Sequence, residues 1–466
     1  MTNPMTDAPV NSMLIRMAAP ISLGMASTFL FQIVDTYFVG QLGSLELAAL
    51  AFSSTAYLVF VSVFMGFSVG VSSVVAKVAG SGAQDRAQGL TMISLGLVLV
   101  LSLLLSLLAR WAIDPMFMGL GATPDTLPLI AEYMGILYLS FPLLMLGIVG
   151  SGAVRAIGVT KETEIVFAIA GVINLVFDWL LIFGKGPFPE LGLAGAAYAT
   201  ALSFLFIFIG VTVILLRHRL LGFADIRGGL SGLSEILKFS VPTISMQILV
   251  PATGMFTTFL LAGFGSEAVA AFGVASRIEA LALIGIFAVS MAVTPFIAQN
   301  FGAGMHDRID KAVIFGGKAS IYLGFALFLI LALAGPWIAR IFSNDPQVIE
   351  FVGLYFKIVA LTYGFQGIVN VTVAIFNGLQ MPNTALRLML VRTFALVFPS
   401  LIIGSYFGLW GLLIGLALGN ILAALWAGHL MRNSMRKWNR PIASANPALD
   451  IWADVKSAAS RLRKSG

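Results

Sequence analysis

The 466-residue chain contains no cysteine, which excludes disulfides, thiolate metal sites and cysteine nucleophiles from the outset. Charge is also scarce. Asp, Glu, Lys and Arg make up 10% of the residues against 59% hydrophobic, a balance that no water-soluble globule carries, so the chain reads as an integral membrane protein. Its three histidines (His218, His306, His429) stand singly, without metal-ligand spacing. There is no GxxxxGK[ST] loop, so ATP is not the direct energy source. No catalytic constellation points to an enzyme and no cofactor is expected. The ten-residue apolar/polar alternation of a transmembrane β-barrel is missing too.

What the chain has in abundance is apolar runs of about 20 residues, each long enough as a helix to cross ~30 Å of hydrocarbon. They give about twelve spans, at 13–41, 46–78, 89–112, 126–151, 163–184, 192–216, 233–264, 267–299, 312–339, 347–376, 384–406 and 408–432. The expected fold class is an all-α integral membrane protein. The opening MTNPMTDAPVNS has no basic residue before Arg16, unlike a signal peptide, so the first span is expected to stay in the fold.

Basic residues collect on one set of loops: Lys77, Arg86, Arg155, Lys161, Arg217, Arg219, Arg227, Arg308, Lys311 and Arg387. The opposite set has little more than Arg110, Lys185 and Arg340. The positive-inside bias then puts both termini in the cytoplasm of a multi-pass inner-membrane protein. The formal net charge of +6 and a basic tail over 434–466 are expected to face anionic lipid, so nucleic acid is not invoked. Residues 447–464 could form an amphipathic helix on that surface.

The first half repeats in the second at a displacement of 222 residues. Pro20 falls on Pro242, Gly43-Ser44 on Gly265-Ser266, Gly80 on Gly302, Gly82 on Gly304, and Asp85-Arg86 on Asp307-Arg308. Six spans per half means that each repeat begins and ends on one side, so the halves are parallel repeats with substrate expected between them. The expected organisation is a bundle at 1–216, a polar linker at 217–232, a second bundle at 233–433 and the tail. Pro20 recurs as Pro242 and is the candidate hinge.

Asp35 in the first span and Asp178 in the fifth lie roughly 9–12 Å inside the outer boundary at 1.5 Å per residue. Thr200 in the sixth span shares their depth, and Asn174 is one turn from Asp178 on the same face. A carboxylate at this depth costs several kcal/mol unless paired, protonated or bound to a cation. A salt bridge has one partner at a plausible level, Lys185. The other reading is a proton or Na⁺ site built from Asp35, Asn174, Asp178 and Thr200. At the equivalent positions the second half has Thr257, Leu396 and Ser400, so this set belongs to one half. The second half has its own charged spot at Arg277 and Glu279. There Glu279 either pairs with Lys357 or Arg392, or faces a substrate cleft together with Arg277, Gln247 and Asn370.

Several stretches together resemble the multidrug and toxic compound extrusion (MATE) family: Val34-Asp35-Thr36 with Gly40-Gln41-Leu42-Gly43, Arg155-Ala156-Ile157-Gly158 with Thr160-Lys161, Asn174-x-x-x-Asp178, and Gly192-Leu193-Ala194-Gly195-Ala196-Ala197. The resemblance spans Pro20 to His429. It implies a V-shaped pair of six-helix bundles and a monomeric antiporter in which entry of H⁺ or Na⁺ drives export of organic, usually cationic, small molecules. The family's first-half ion site maps onto Asp35, Asn174, Asp178 and Thr200. Acids in the seventh and tenth spans mark the NorM-type pattern, but here those spans contain Gln247 and Asn370 and no carboxylate in the middle, so the chain is more similar to the DinF-type branch. The alternative is a lipid-linked precursor flippase of the same superfamily. Such a protein would line its cleft with several arginines, and only Arg277 clearly qualifies.

Overall fold

A computed structural model describes residues 4–222, 225–342 and 345–437. The distal tail, including the helix expected at 447–464, lies outside these residues. The described chain is helical throughout, without strands. In order the helices are α1 (Pro4–Asp7), α2 (Val10–Gly40), α3 (Ser44–Gly80), α4 (Gln84–Trp111), α5 (Ile113–Gly119), α6 (Leu127–Ala156), α7 (Lys161–Ile182), α8 (Gly192–Arg217), α9 (Ile226–Ala262), α10 (Ser266–Ala282), α11 (Ile284–Gly302), α12 (His306–Phe342), α13 (Pro346–Ile358), α14 (Tyr363–Gly378), α15 (Pro382–Leu390), α16 (Phe398–Ser405) and α17 (Gly408–Lys437).

These helices provide twelve candidate membrane spans. Their outer faces carry side chains that water would not tolerate. Trp111 is 87% exposed and Leu333 78% exposed, as lipid-facing positions must be. Three spans are not single helices. The eighth is interrupted at Leu283, and the tenth passes through a 3₁₀ turn at Ala360–Thr362. The eleventh contains a π-helical stretch, Val391–Val397, just before Pro399. Pro399 has no N–H to donate and its ring crowds the carbonyl four residues back, so the ladder there shifts register.

The chain divides into two compact units. One runs Ala19–Ile248; the other joins Met1–Ala18 to Leu249–Gly466. Both divisions fall inside a helix, in α2 and α9, which are the first and seventh spans and repeat equivalents. The polar stretch 217–232 is likewise partly helical, since α9 begins at Ile226.

The first unit is drawn together where side chains are smallest. A Cβ at Gly66 of α3 would lie 2.5 Å from the Ile244 Cα of α9, and Thr243 Oγ1 donates to the Gly66 carbonyl at 2.7 Å. Closer to the start of α9, Glu235 pairs with Lys77 at 3.1 Å and Arg86 at 3.7 Å. In the second unit the mirror arrangement holds the chain's beginning. Arg308, the repeat equivalent of Arg86, donates to the carbonyls of Met5 (3.1 Å) and Ala8 (2.6 Å) and to Asn300 Oδ1 (2.8 Å). Asn300 Nδ2 donates to the same Met5 carbonyl at 3.1 Å, and the Met5 side chain is fully buried. The loops that carry these arginines turn at Gly82 (φ 82°) and Gly304 (φ 70°), left-handed positions that favour glycine in both repeats.

Candidate functional site

In the first unit α2 and α7 lie side by side, and glycines set their register. The Phe31 ring of α2 covers Gly171 of α7 so closely that a Cβ there would overlap it, and Glu164 of α7 occupies the space over Gly24. One turn beyond Phe31 is Asp35; seven residues beyond Gly171 is Asp178. On the other side, the Leu191 amide donates to the Leu181 carbonyl at 2.9 Å, and a Cβ at Gly195 would lie 2.6 Å from the Leu181 carbonyl carbon. That fit seats α8 against α7 and brings Thr200 to Asn174, whose Nδ2 donates to Thr200 Oγ1 at 3.3 Å.

The carboxyl groups of Asp35 and Asp178 lie next to each other. Asp178 is fully buried and Asp35 half-buried. Asp35 Oδ1 and both Asp178 carboxyl oxygens have no hydrogen-bond donor. Two carboxylates are both acceptors, so their proximity becomes a bond only when a proton or a cation lies between them. Among the described residues the ion pairs in this unit lie elsewhere: Glu235 with Lys77 and Arg86, and Glu162 with Arg217 (3.7 Å) and His218 (3.3 Å). Lys185 makes no ion pair with either aspartate.

The structure therefore brings Asp35, Asn174, Asp178 and Thr200 together and adds one residue that sequence reasoning missed. Tyr133 of α6, 6% exposed, directs its hydroxyl toward Thr200 and both aspartates, with Tyr57 of α3 beside it. A signal for it existed. At the 222-residue displacement Tyr133 falls on Tyr355, and Tyr57 on Glu279. The donor set of two carboxylates, an amide oxygen, a threonine hydroxyl and a phenol suits a proton or a hard monovalent cation. No cluster of three or more His, Cys, Asp or Glu side chains occurs among the described residues.

The second unit holds a polar cluster at the equivalent place. The Tyr355 hydroxyl donates to Glu279 Oε2, Gln366 also hydrogen-bonds to Glu279, and Arg392 on the π-helical stretch is its neighbouring cation. Lys357, the other cation considered for Glu279, is exposed. The fully buried Tyr363 hydroxyl lies close by without a hydrogen-bond partner. Arg277 is exposed, and Asn370 is half-buried on α14. Gln247, half-buried on α9, belongs to the first unit, so the four residues expected to line a cleft are divided between the units. Pro20 lies within α2, which continues through it.

The MatE family model matches residues 20–180 and 242–403, two segments whose starts are 222 residues apart. The FAD transporter of Shewanella oneidensis is 35% identical over 427 residues, covering 91% of this chain and 94% of that protein. The multidrug export protein MepA of Staphylococcus aureus is 25% identical over 428 residues, covering 90% and 93%. Among solved structures, the Vibrio cholerae MATE transporter VcmN in its bent form superposes with a TM-score of 0.88 at 27% identity, covering 92% of this chain and 98% of that one. With twelve apolar helices among its described residues, the chain is a multi-pass membrane transporter of the MATE family, and not an enzyme.

Proposed function

We propose that the chain is a secondary antiporter that exports organic small molecules in exchange for H⁺ or Na⁺ bound by Asp35, Asn174, Asp178 and Thr200. The observation that carries this reading is the set of three buried carboxyl oxygens without a donor. An unpaired carboxylate in hydrocarbon costs several kcal/mol, so the pair gains most by capturing a cation from outside. Occupancy removes the repulsion between the aspartates and draws α2 toward α7. Since α2 continues through Pro20 into the other unit, that movement couples ion binding to the conformation from which substrate leaves. The loop charges support a cytoplasmic place for both termini, and the lack of a carboxylate in the middle of the seventh and tenth spans supports the DinF-type branch.

For the exported compound, organic cations are the first reading, supported by similarity to a multidrug export protein. A second is supported by the FAD transporter relative together with the polar groups of the second unit. There Arg392 neighbours Glu279 and offsets its charge, and a guanidinium in such a cluster suits a phosphate-bearing aromatic compound. The test is efflux from proteoliposomes loaded with ethidium or with FAD, under a pH gradient or a Na⁺ gradient imposed separately. Export driven by one gradient and lost in Asp35→Asn is expected. Export that ignores both gradients, or that survives the substitution, would overturn the antiport reading.

A further inference from the structure

A groove of about 400 Å³ lies in the second unit between the start of α2 and one face of α12, lined by Asn11, Lys311, Phe315, Lys318, Ala319 and Tyr322 among others. Its volume is within the ~300–1,000 Å³ usual for small-molecule sites. One wall is fixed by the Arg308 and Asn300 hydrogen bonds to Met5 and Ala8, which hold the segment leading into α2 beside α12. On α12, Ile309, Ala312, Val313, Gly316 and Ser320 are buried in the unit. Lys311, Phe315, Lys318 and Tyr322 form a separate stripe at helical spacing, with the two lysines about 10 Å apart along the axis.

Among the described residues that line the groove, the charged ones are Lys311 and Lys318. Beyond Tyr322, which is 48% exposed, the outer face of α12 continues apolar through Phe325, Leu329 and Leu333, all exposed. Two ammonium groups at the end assigned to the cytoplasm therefore lead into an apolar track. We propose that this groove binds an anionic phospholipid of the inner leaflet, its phosphodiester between Lys311 and Lys318 and an acyl chain along Phe325–Leu333. Lysine stems lie along apolar surface while their ammonium groups reach the headgroup level, so Lys318 can engage a phosphate from deeper in the span. Because both walls of the groove contribute, a bound lipid would tie the start of the first span to α12.

The test is native mass spectrometry of the full chain in detergent with added phosphatidylglycerol or phosphatidylcholine. Wild type is expected to retain phosphatidylglycerol preferentially, with the preference falling about fivefold per lysine removed in Lys311→Gln and Lys311→Gln/Lys318→Gln. Lys311→Arg/Lys318→Arg should keep it. A control that removes two exposed charges outside the groove, Lys161→Gln/Arg219→Gln, should also keep it. Equal retention of the two lipids, or an equal loss in the control, would overturn the proposal. Because Lys311 is exposed, its single variant remains informative should the double variant fold poorly.

Discussion

Asp35 and Asp178 lie next to each other without a donor for three of their four carboxyl oxygens, so a proton or cation between them removes a repulsion that nothing else in the first unit offsets. Asp178→Asn should therefore abolish gradient-driven efflux in proteoliposomes while leaving the unfolding midpoint in detergent at or above that of wild type, because it removes an uncompensated charge. A midpoint that fell instead would mean that the carboxylate is structurally paired. Tyr133 makes a finer test. Tyr133→Phe removes one hydroxyl from the set, a hydrogen bond worth about 1 kcal/mol, and should shift the ion concentration for half-maximal efflux about fivefold with the maximal rate retained. Asp35, Asn174 and Asp178 were legible in the sequence because charge or amide in an apolar run is conspicuous, and Thr200 because it shares their depth in the sixth span. Tyr133 was not, since a tyrosine in a span fits a lipid interface or a packed core equally well, and only its proximity to Thr200 gives it a place.

Among the helices, α2 and α7 hold the site through one contact that admits no side chain, the Phe31 ring over Gly171. Gly171→Ala would force Phe31 aside at a cost of about 1–3 kcal/mol and separate Asp35 from Asp178, so the unfolding midpoint and coupled efflux should fall together. Gly96 of α4 provides the contrast. It has open space around its missing Cβ, and Gly96→Ala should leave efflux intact and raise stability by about 0.5–1 kcal/mol. In the second unit, Pro399→Ala would allow a regular ladder through Val391–Val397. Arg392 would then turn relative to α16, and the relative affinities for FAD and ethidium, measured by binding to purified protein, should change while ion binding near Asp35 does not. Span positions followed from hydropathy to within a few residues at most ends. The breaks at Leu283 and Ala360–Thr362 did not, because composition there is as apolar as in the unbroken spans.

At the level of the whole molecule, the 222-residue repeat was readable from paired glycines and the Asp-Arg of the loops, and the same displacement separates the two family matches. The place where the units divide was not readable, because nothing in the composition of α2 or α9 changes at Ala18 or Ile248. The loop arginines reveal it only once their partners are known. Arg308→Met should release Met5–Val10 to fast hydrogen exchange while the spans stay protected. Glu235→Gln, which breaks half-exposed pairs, should change stability by less than about 1 kcal/mol. The reciprocal anchoring also has a consequence for biosynthesis. Met5 meets its partner only when Arg308, 303 residues later, leaves the ribosome, an interval of about 15–60 s at ~5–20 residues per second. The opening segment must wait through the insertion of the first eight spans, and a chain severed in the 217–232 stretch would yield two fragments that each carry the other's missing piece.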